Sequence, residues 1–184
     1  EFILTTSPSM DILVSSNLER LLYLSCGRDA AKTKELMEQL SKNGKYEITP
    51  EMKEFMKDFS AGYADMEENA KEIKKVFDDT GYLIDTHTGV AAAVYEQYKA
   101  KTGDATKTVI ASTASPYKFS RSVMEAVLGK KEDTDEFALI DEMERISGVK
   151  IPQAIEEIRD AKILHNRQCK PEEMEETVKQ TFSK

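Results

Sequence analysis

The sequence predicts an α/β protein that is rich in helices and has only a few parallel strands. Helical spacing of apolar residues recurs along most of the 184 residues, and Ser, Thr, Asp or Pro stands where these patterns begin. Short runs at 2–6 and 107–112 are apolar without alternation, which is typical of parallel strands covered on both faces. Because so few strands would leave sheet edges unpaired, we expect further strands to precede this sequence.

The first 80 residues are predicted to form one strand followed by four helices. Thr49-Pro50 places a capping hydroxyl before a proline, a pairing that begins helices. Charged residues dominate 49–80, so we expect this stretch to be peripheral and to belong to a mainly helical insertion at about 28–80. The predicted elements are a strand over 2–6 and helices over 11–25, 29–43, 49–59 and 65–80, with Gly27, Gly44 and Gly81 ending three of the helices.

The remaining residues alternate predicted helices with short extended pieces. The run 107–112 is the clearest strand of the chain, and Ser115-Pro116 is a cap followed by a proline at the start of the next helix. Thr134 is predicted to cap a later helix. The predicted elements are an extended piece at 82–85, a helix over 90–101, the strand over 107–112, helices over 116–128, 134–146 and 154–159, an extended piece at 163–168 and a helix over 171–182.

Composition favours one domain with a real core and excludes several classes of function. Hydrophobic residues make up 40% of the chain, above the range typical of disorder, and the net charge of −8 argues against nucleic acid and membranes as partners. Cys26 and Cys169 suggest neither a disulfide framework nor a metal site, so we expect a cytoplasmic protein. No run is long enough to span a bilayer, and no signal peptide is visible.

The segment Ser112–Phe119 is the strongest functional candidate in the sequence. It follows a predicted strand with hydroxyl groups and then begins a helix, and ligands bind at such carboxyl ends of strands in open α/β folds. Thr113 is suited to a hydrogen bond with a heteroaromatic ring nitrogen, and Lys118 is suited to contact with an anion. The alternative is a helix cap followed by a surface lysine.

Three further positions have a functional and a structural interpretation. The segment 5–11, whose turn at 7–9 includes Ser9, either lines a polar site or caps a helix. Asn17 and Arg20 lie three residues apart, where they either hold an anion or form a solvent-exposed pair. His87 stands between an extended piece and a helix, where it either meets a substrate or serves in capping and packing. No glycine-rich nucleotide loop and no Gly-x-Ser-x-Gly motif is present.

Taken together, three segments resemble threonine synthases, which have the tryptophan-synthase-β-like fold. The segments are TTSPSMDILVSSNLERLL at 5–22, YLIDTHTGVA at 82–91 and ASTASPYKF at 111–119, and they occur in the family's order. The stretch 163–174 also fits the family's C-terminal end. The resemblance extends over essentially the whole chain and is to the branch of the family with a large helical insertion.

This resemblance implies pyridoxal 5′-phosphate chemistry. Members of the family convert O-phospho-L-homoserine and water into L-threonine and phosphate, and the cofactor ring serves as the electron sink. Thr113 matches the position that hydrogen-bonds the pyridine nitrogen. The positions expected near the substrate are Ser9, Asn17, Arg20, His87 and Lys118, with Arg20, His87 or Lys118 meeting its phosphate.

The sequence also departs from the family pattern. It contains neither the Ser-Phe-Lys-Asp-type motif of the Schiff-base lysine nor the Gly-Asn-Phe-Gly-type phosphate loop, and Ser115 stands where many relatives have histidine. We therefore expect residues 1–184 to be the C-terminal portion of a fold type II enzyme, inactive without the remaining N-terminal part and with no catalytic or metal-binding residue of its own. The alternative is a non-catalytic helical α/β binding or interaction module that retains a synthase-like framework.

Overall fold

Helices are the regular elements of residues 3–183, the part of the chain that the computed structural model describes. The helix-rich fold predicted from the sequence is confirmed, and the chain divides into two compact units, Glu1–Lys150 and Ile151–Lys184. The first unit contains α1 Ser16–Ser25, α2 Ala30–Asn43, α3 Pro50–Phe55, α4 Met66–Thr80, α5 Thr86–Thr102, a 3₁₀ turn at Pro116–Phe119, α6 Ser120–Leu128 and α7 Glu136–Ser147.

The second unit is small and is also helical. It contains α8 Gln153–Arg159, a 3₁₀ turn at Pro171–Glu173 and α9 Met174–Phe182. The predicted helix over 171–182 therefore begins as a tighter turn and continues as α9. The predicted apolar stripe of that helix is solvent-exposed at Met174, Val178 and Phe182.

Helices α1, α2 and α3 form one packed group in the first unit. Helix α1 lies against both α2 and α3, and Leu22, Leu36 and Met52 form the buried core between them. These three side chains come from three different helices, so this core fixes the relative positions of α1, α2 and α3.

Helix α4 is the centre of a second group, where it packs against α5 and α6, while α6 packs against α7. Ile73 of α4, Met124 of α6 and Met143 of α7 are almost completely buried. The peripheral position expected for the whole of 49–80 is therefore wrong for α4. That 28–80 is an insertion stays a prediction.

The strand predicted over 107–112 is wrong. These residues have no regular structure and are exposed, and Val109 is 92% accessible. A β-strand requires a neighbour that completes its hydrogen bonds, and no residue within 3–183 is paired in a sheet. The strand predicted over 2–6 is wrong over 3–6 for the same reason, whereas Phe2 lies outside the described residues.

Local capping signals place several helix starts correctly. Thr49, Asp65 and Ser115 each accept a hydrogen bond from a backbone N–H in the turn that follows, as predicted. The start of α7 is displaced by one residue, because Asp135 rather than Thr134 is the capping residue.

Two other helix starts differ more from the prediction. Helix α1 begins at Ser16 instead of Asp11, because the Asp11 carboxylate accepts hydrogen bonds from Thr5 and the cap is Ser15. Helix α5 begins four residues earlier than predicted, since the buried Asp85 caps it. This earlier start places His87 within the first turn of α5.

None of the helices in the described part of the chain combines the length and the apolar character that a membrane crossing requires.

Candidate functional site

Three distant segments of the chain meet at the N-terminal end of α5. Ser7 Oγ is hydrogen-bonded to His87 Nδ1, although the two residues are 80 positions apart. The His87 ring is 4.8 Å from the Phe119 ring, centroid to centroid, and Thr88 Oγ1 lies 3.1 Å from Ser112 Oγ. The contacts bring together the three segments singled out in the sequence. We call this cluster the α5 junction; it comprises Ser7, Asp85, His87, Thr88, Ser112 and Phe119.

Asp85 is the fully buried anchor of the α5 junction. Its Oδ1 accepts hydrogen bonds from the backbone N–H groups of His87 at 2.8 Å and Thr88 at 3.4 Å, and its Oδ2 accepts one from the Thr88 hydroxyl. These donors and the positive end of the helix dipole stabilise the buried carboxylate. Because Asp85 occupies these N–H groups, the N-terminus of α5 is not a free anion site.

His87 presents one ring nitrogen that has no partner among the described residues. Its side chain is buried, Nδ1 is engaged by Ser7, and Nε2 makes no hydrogen bond. Buried polar atoms are normally satisfied, so this ring nitrogen retains the capacity for one more hydrogen bond. Thr86 Oγ1 and Asn69 Oδ1 are likewise buried and without partners in residues 3–183.

The segment 5–11 folds into a turn that directs Ser7 inwards. Asp11 accepts hydrogen bonds from the backbone N–H of Thr5 at 2.7 Å and from its hydroxyl at 2.8 Å, and Met10 N–H donates to the Ser7 carbonyl at 2.8 Å. Ser7 is almost completely buried, whereas Ser9 is exposed at the outer side of the turn. Asp11 therefore serves the turn, and Ser9 remains accessible.

The segment 112–119 combines a fixed end with an accessible start. Tyr117 is buried and its hydroxyl donates to the Val149 carbonyl, while burial, together with the negative charge of Glu144, raises the pKa of the phenol. Thr113 is exposed, and its hydroxyl has no hydrogen-bond partner among the described residues. The Lys118 ammonium lies 5.7 Å from the Phe119 ring centroid. The segment thus holds an unengaged hydroxyl and a cation on either side of a buried anchor.

Asn17 and Arg20 lie on α1 and are not joined to the α5 junction by any contact recorded in residues 3–183. Both are exposed, and Arg20 lines a groove between α1 and α2 together with Tyr23 and Lys34. Their expected role in substrate binding stays a prediction. It requires a ligand or another part of the protein that reaches this groove.

An open cleft of about 910 Å³ runs beside α5 and ends next to the junction. Its walls include Val94, Tyr95 and Tyr98 of α5 and the irregular stretch 108–111. Within 3–183, no group of three or more His, Cys, Asp or Glu side chains is arranged to hold a metal ion.

Sequence reasoning gave no role to Ser7, Asn69 or Thr88, which the structure places at or beside the junction. Asn69 donates from Nδ2 to Thr6 Oγ1 at 3.4 Å and is 2% exposed. A signal for Asn69 was available: it precedes the buried Ile73 by four residues and therefore lies on the apolar face of α4. A polar residue on such a face needs a partner in the fold.

The chain is similar in sequence to threonine synthases. The family described as "Threonine synthase, C-terminal" matches residues 88–167. The threonine synthase of Saccharomyces cerevisiae is 33% identical over 179 residues, which cover 88% of this chain and 35% of that protein.

Solved structures give the same result. The pyridoxal-phosphate-bound threonine synthase from Brucella melitensis has a TM-score of 0.61 and 30% identity, over 81% of this chain and 36% of that one. Threonine synthase from yeast has a TM-score of 0.63 and 30% identity, over 82% of this chain and 33% of that one. The present chain spans about a third of the length of these relatives.

Proposed function

We propose that this chain corresponds to the C-terminal portion of the threonine synthase family and that it forms one wall of a pyridoxal-phosphate site. The intact enzyme converts O-phospho-L-homoserine and water into L-threonine and phosphate. The observation that carries this proposal is the meeting of segments 5–11, 85–89 and 112–119 at the α5 junction.

The residues of this wall fit part of the cofactor. The exposed Thr113 hydroxyl is unengaged among the described residues and is suited to the pyridine nitrogen. The described residues 3–183 contain no glycine-rich phosphate loop, because six of the eight glycines have positive φ at helix ends. Bound pyridoxal phosphate supplies the electron sink for the reaction, and the remaining N-terminal part supplies the phosphate loop.

Two basic side chains flank Phe119 and are proposed to meet the substrate phosphate. The Lys118 ammonium is exposed and has no acidic partner in residues 3–183. The His87 ring packs against the same Phe119 ring, and its Nε2 has no partner among the described residues. Their shared position favours them over Arg20, whose groove on α1 would have to be reached by the substrate or by the rest of the enzyme. Ser9 and Asn17 are secondary candidates, because both are exposed and neither belongs to the α5 junction.

The remaining N-terminal part of the enzyme is the proposed partner of this chain. Its support is the unusual exposure of large apolar side chains near two of the three segments, since Leu4, Leu13 and Val109 are 72%, 79% and 92% accessible. Two free cysteines accord with the cytoplasmic location that belongs to this proposal.

Replacement of Thr113 tests the cofactor contact in the intact enzyme that carries this portion. Thr113→Val keeps the side-chain shape and removes the hydroxyl, so the ring nitrogen loses its partner at a cost of about 1–3 kcal/mol, or about 5-fold to 150-fold in cofactor affinity. Thr113→Ser retains the hydroxyl and should bind nearly as the parent. Equal affinity of the Val variant and the parent, measured by titration with pyridoxal phosphate, would remove Thr113 from the site.

A further inference from the structure

We propose that Asp85 is a positioning residue that acts through Thr88 to hold the Ser112 hydroxyl in one orientation, and with it the adjacent Thr113. The hydrogen-bonded series of Asp85, Thr88 and Ser112 lies within the α5 junction. It is separate from the side chains proposed to contact the substrate phosphate. Only its last consequence, an effect on cofactor affinity, rests on the proposed function.

The direction of the hydrogen bonds follows from the number of protons. An ionised carboxylate only accepts hydrogen bonds, so the contact between Asp85 Oδ2 and Thr88 Oγ1 uses the single hydroxyl proton of Thr88. Thr88 Oγ1 then has only lone pairs for Ser112, whose Oγ is 3.1 Å away. The Ser112 hydroxyl must therefore donate to Thr88, and the order of donation is Ser112 to Thr88 to Asp85.

Burial makes the Asp85 and Thr88 side chains of this hydrogen-bonded series rigid. Asp85 and Thr88 are 0% and 5% exposed; Asp85 caps α5, and Thr88 lies in its first turn. Ser112 lies in the irregular stretch before the 3₁₀ turn and is exposed, so its bond to Thr88 joins an accessible segment to a fixed helix. The neighbouring Thr113 has no hydrogen bond of its own among the described residues, and the anchored Ser112 limits its movement.

The hydroxyl proton that Ser112 donates to Thr88 has a consequence for ligand specificity. Because this proton points to Thr88, the outer face of Ser112 Oγ is only a hydrogen-bond acceptor. It accepts from an N–H or O–H group of a ligand and offers nothing to a phosphate or carboxylate oxygen. The corner beside Thr113 therefore favours a ligand group that donates a hydrogen bond over a phosphate oxygen.

Helix capping alone does not account for this arrangement. A cap needs one side-chain oxygen, and Oδ1 of Asp85 already accepts the N–H groups of His87 and Thr88. The second oxygen is used for the Thr88 hydroxyl. Asp85→Asn separates the two roles, since asparagine caps as well as aspartate but turns an NH₂ donor towards Thr88. The order of donation is then reversed, and Ser112 becomes a donor at its outer face.

The chain offers a matched control for Thr88. Thr86 lies one residue before His87 on the same helix, is completely buried, and its hydroxyl has no partner in residues 3–183. Thr88→Val and Thr86→Val are thus the same chemical change at two buried positions of one turn, and only the first breaks the proposed chain. Thr88→Ser retains the hydroxyl and should restore the parent behaviour.

The first measurement uses this chain itself and does not depend on any cofactor. Backbone order parameters from NMR relaxation should fall at Ser112 and Thr113 in Thr88→Val, from about 0.85 to below about 0.6. Thr86→Val and Thr88→Ser should give the parent values. If Thr88→Val does not fold, the exposed Ser112→Ala serves instead and should lower the order parameter of Thr113. Parent values at Thr113 in both Thr88→Val and Ser112→Ala would overturn the proposal.

The second measurement uses the intact enzyme and separates this inference from the proposed function. Thr88→Val should weaken pyridoxal-phosphate affinity about tenfold. Asp85→Asn keeps the helix cap but turns the Ser112 proton to the outer face, and this change should weaken the affinity as well. Loss of order at Thr113 together with unchanged cofactor affinity would uphold the positioning role and contradict the proposed cofactor wall. Loss of affinity in Thr86→Val equal to that in Thr88→Val would overturn the positioning role, because the effect would then reflect packing.

Discussion

Gly89→Ala should destabilise the first unit, although alanine normally stabilises a helix. Gly89 lies at the end of the first turn of α5, where it packs against α4. A Cβ built at this position would be 2.2 Å from Asn69 Oδ1 and 2.7 Å from Ile73 Cγ1. Both distances are shorter than any ordinary contact with a methyl group, so the neighbours or the helices must move.

The size of the effect follows from two opposing contributions. Alanine in place of glycine inside a helix contributes about 1 kcal/mol of stability. Overpacking a well-filled interface costs about 1–3 kcal/mol, and here it falls at the upper end because Asn69 and Ile73 are only 2% and 1% exposed. We therefore expect Gly89→Ala to lower the free energy of unfolding by about 1–2 kcal/mol.

Urea unfolding of the purified chain measures this difference. Ala100→Gly, an exposed position of the same helix, gives the helix-propensity contribution without a change in packing. In an Asn69→Ala background the closest clashing atom is absent, so Gly89→Ala should cost at least about 1 kcal/mol less there. A Gly89→Ala chain as stable as the parent, or an equal cost in both backgrounds, would refute the close approach of α4 and α5.

Other predictions concern the anchors around the junction. Burial, with a further contribution from Glu144, raises the pKa of Tyr117. The neutral phenol therefore stabilises the fold below about pH 10, and this stabilisation is lost as the pH rises further. The free energy of unfolding of Tyr117→Phe should depend less on pH between about 8 and 11 than that of the parent. Asp65→Ala removes the capping box of α4 and should cost about 0.5–2 kcal/mol in urea unfolding, unlike Asp65→Asn, which keeps a capping oxygen. Arg121→Lys should lower the free energy of unfolding by about 0.5–1.5 kcal/mol. The guanidinium contacts three acceptors between α6 and α7, one of them Glu136, and lysine cannot match all three. Thermal unfolding of parent and variant measures the difference, and equal midpoints would contradict this prediction.

Short-range signals account for the parts of the fold that the sequence predicts well. The starts at Thr49 and Asp65 depend on residues within one turn, so a hydroxyl or carboxylate beside a helical pattern is sufficient. The error at Asp11 has the same origin. Its carboxylate has two local choices, to cap a helix or to accept from Thr5, and the sequence alone does not decide between them.

Long-range contacts account for the parts that the sequence does not predict. The stretch 107–112 has the composition of a strand, but a strand needs a partner, and none is paired with it in residues 3–183. The motif segments around Ser7 and His87 are recognisable separately, whereas their hydrogen bond across 80 positions is visible only in the fold. The positions of Thr113 and Lys118 in a cofactor site stay predictions.

Cofactor binding and phosphate release together test the central claim that this chain is one wall of a threonine synthase site. The chain alone and the chain combined with the N-terminal portion of a threonine synthase would be incubated with pyridoxal phosphate and O-phospho-L-homoserine, and bound cofactor, phosphate and L-threonine would be measured. We expect no binding and no turnover by the chain alone, and both activities in the combination. Turnover by the chain alone, or a stable combination that neither binds the cofactor nor releases phosphate, would contradict the account.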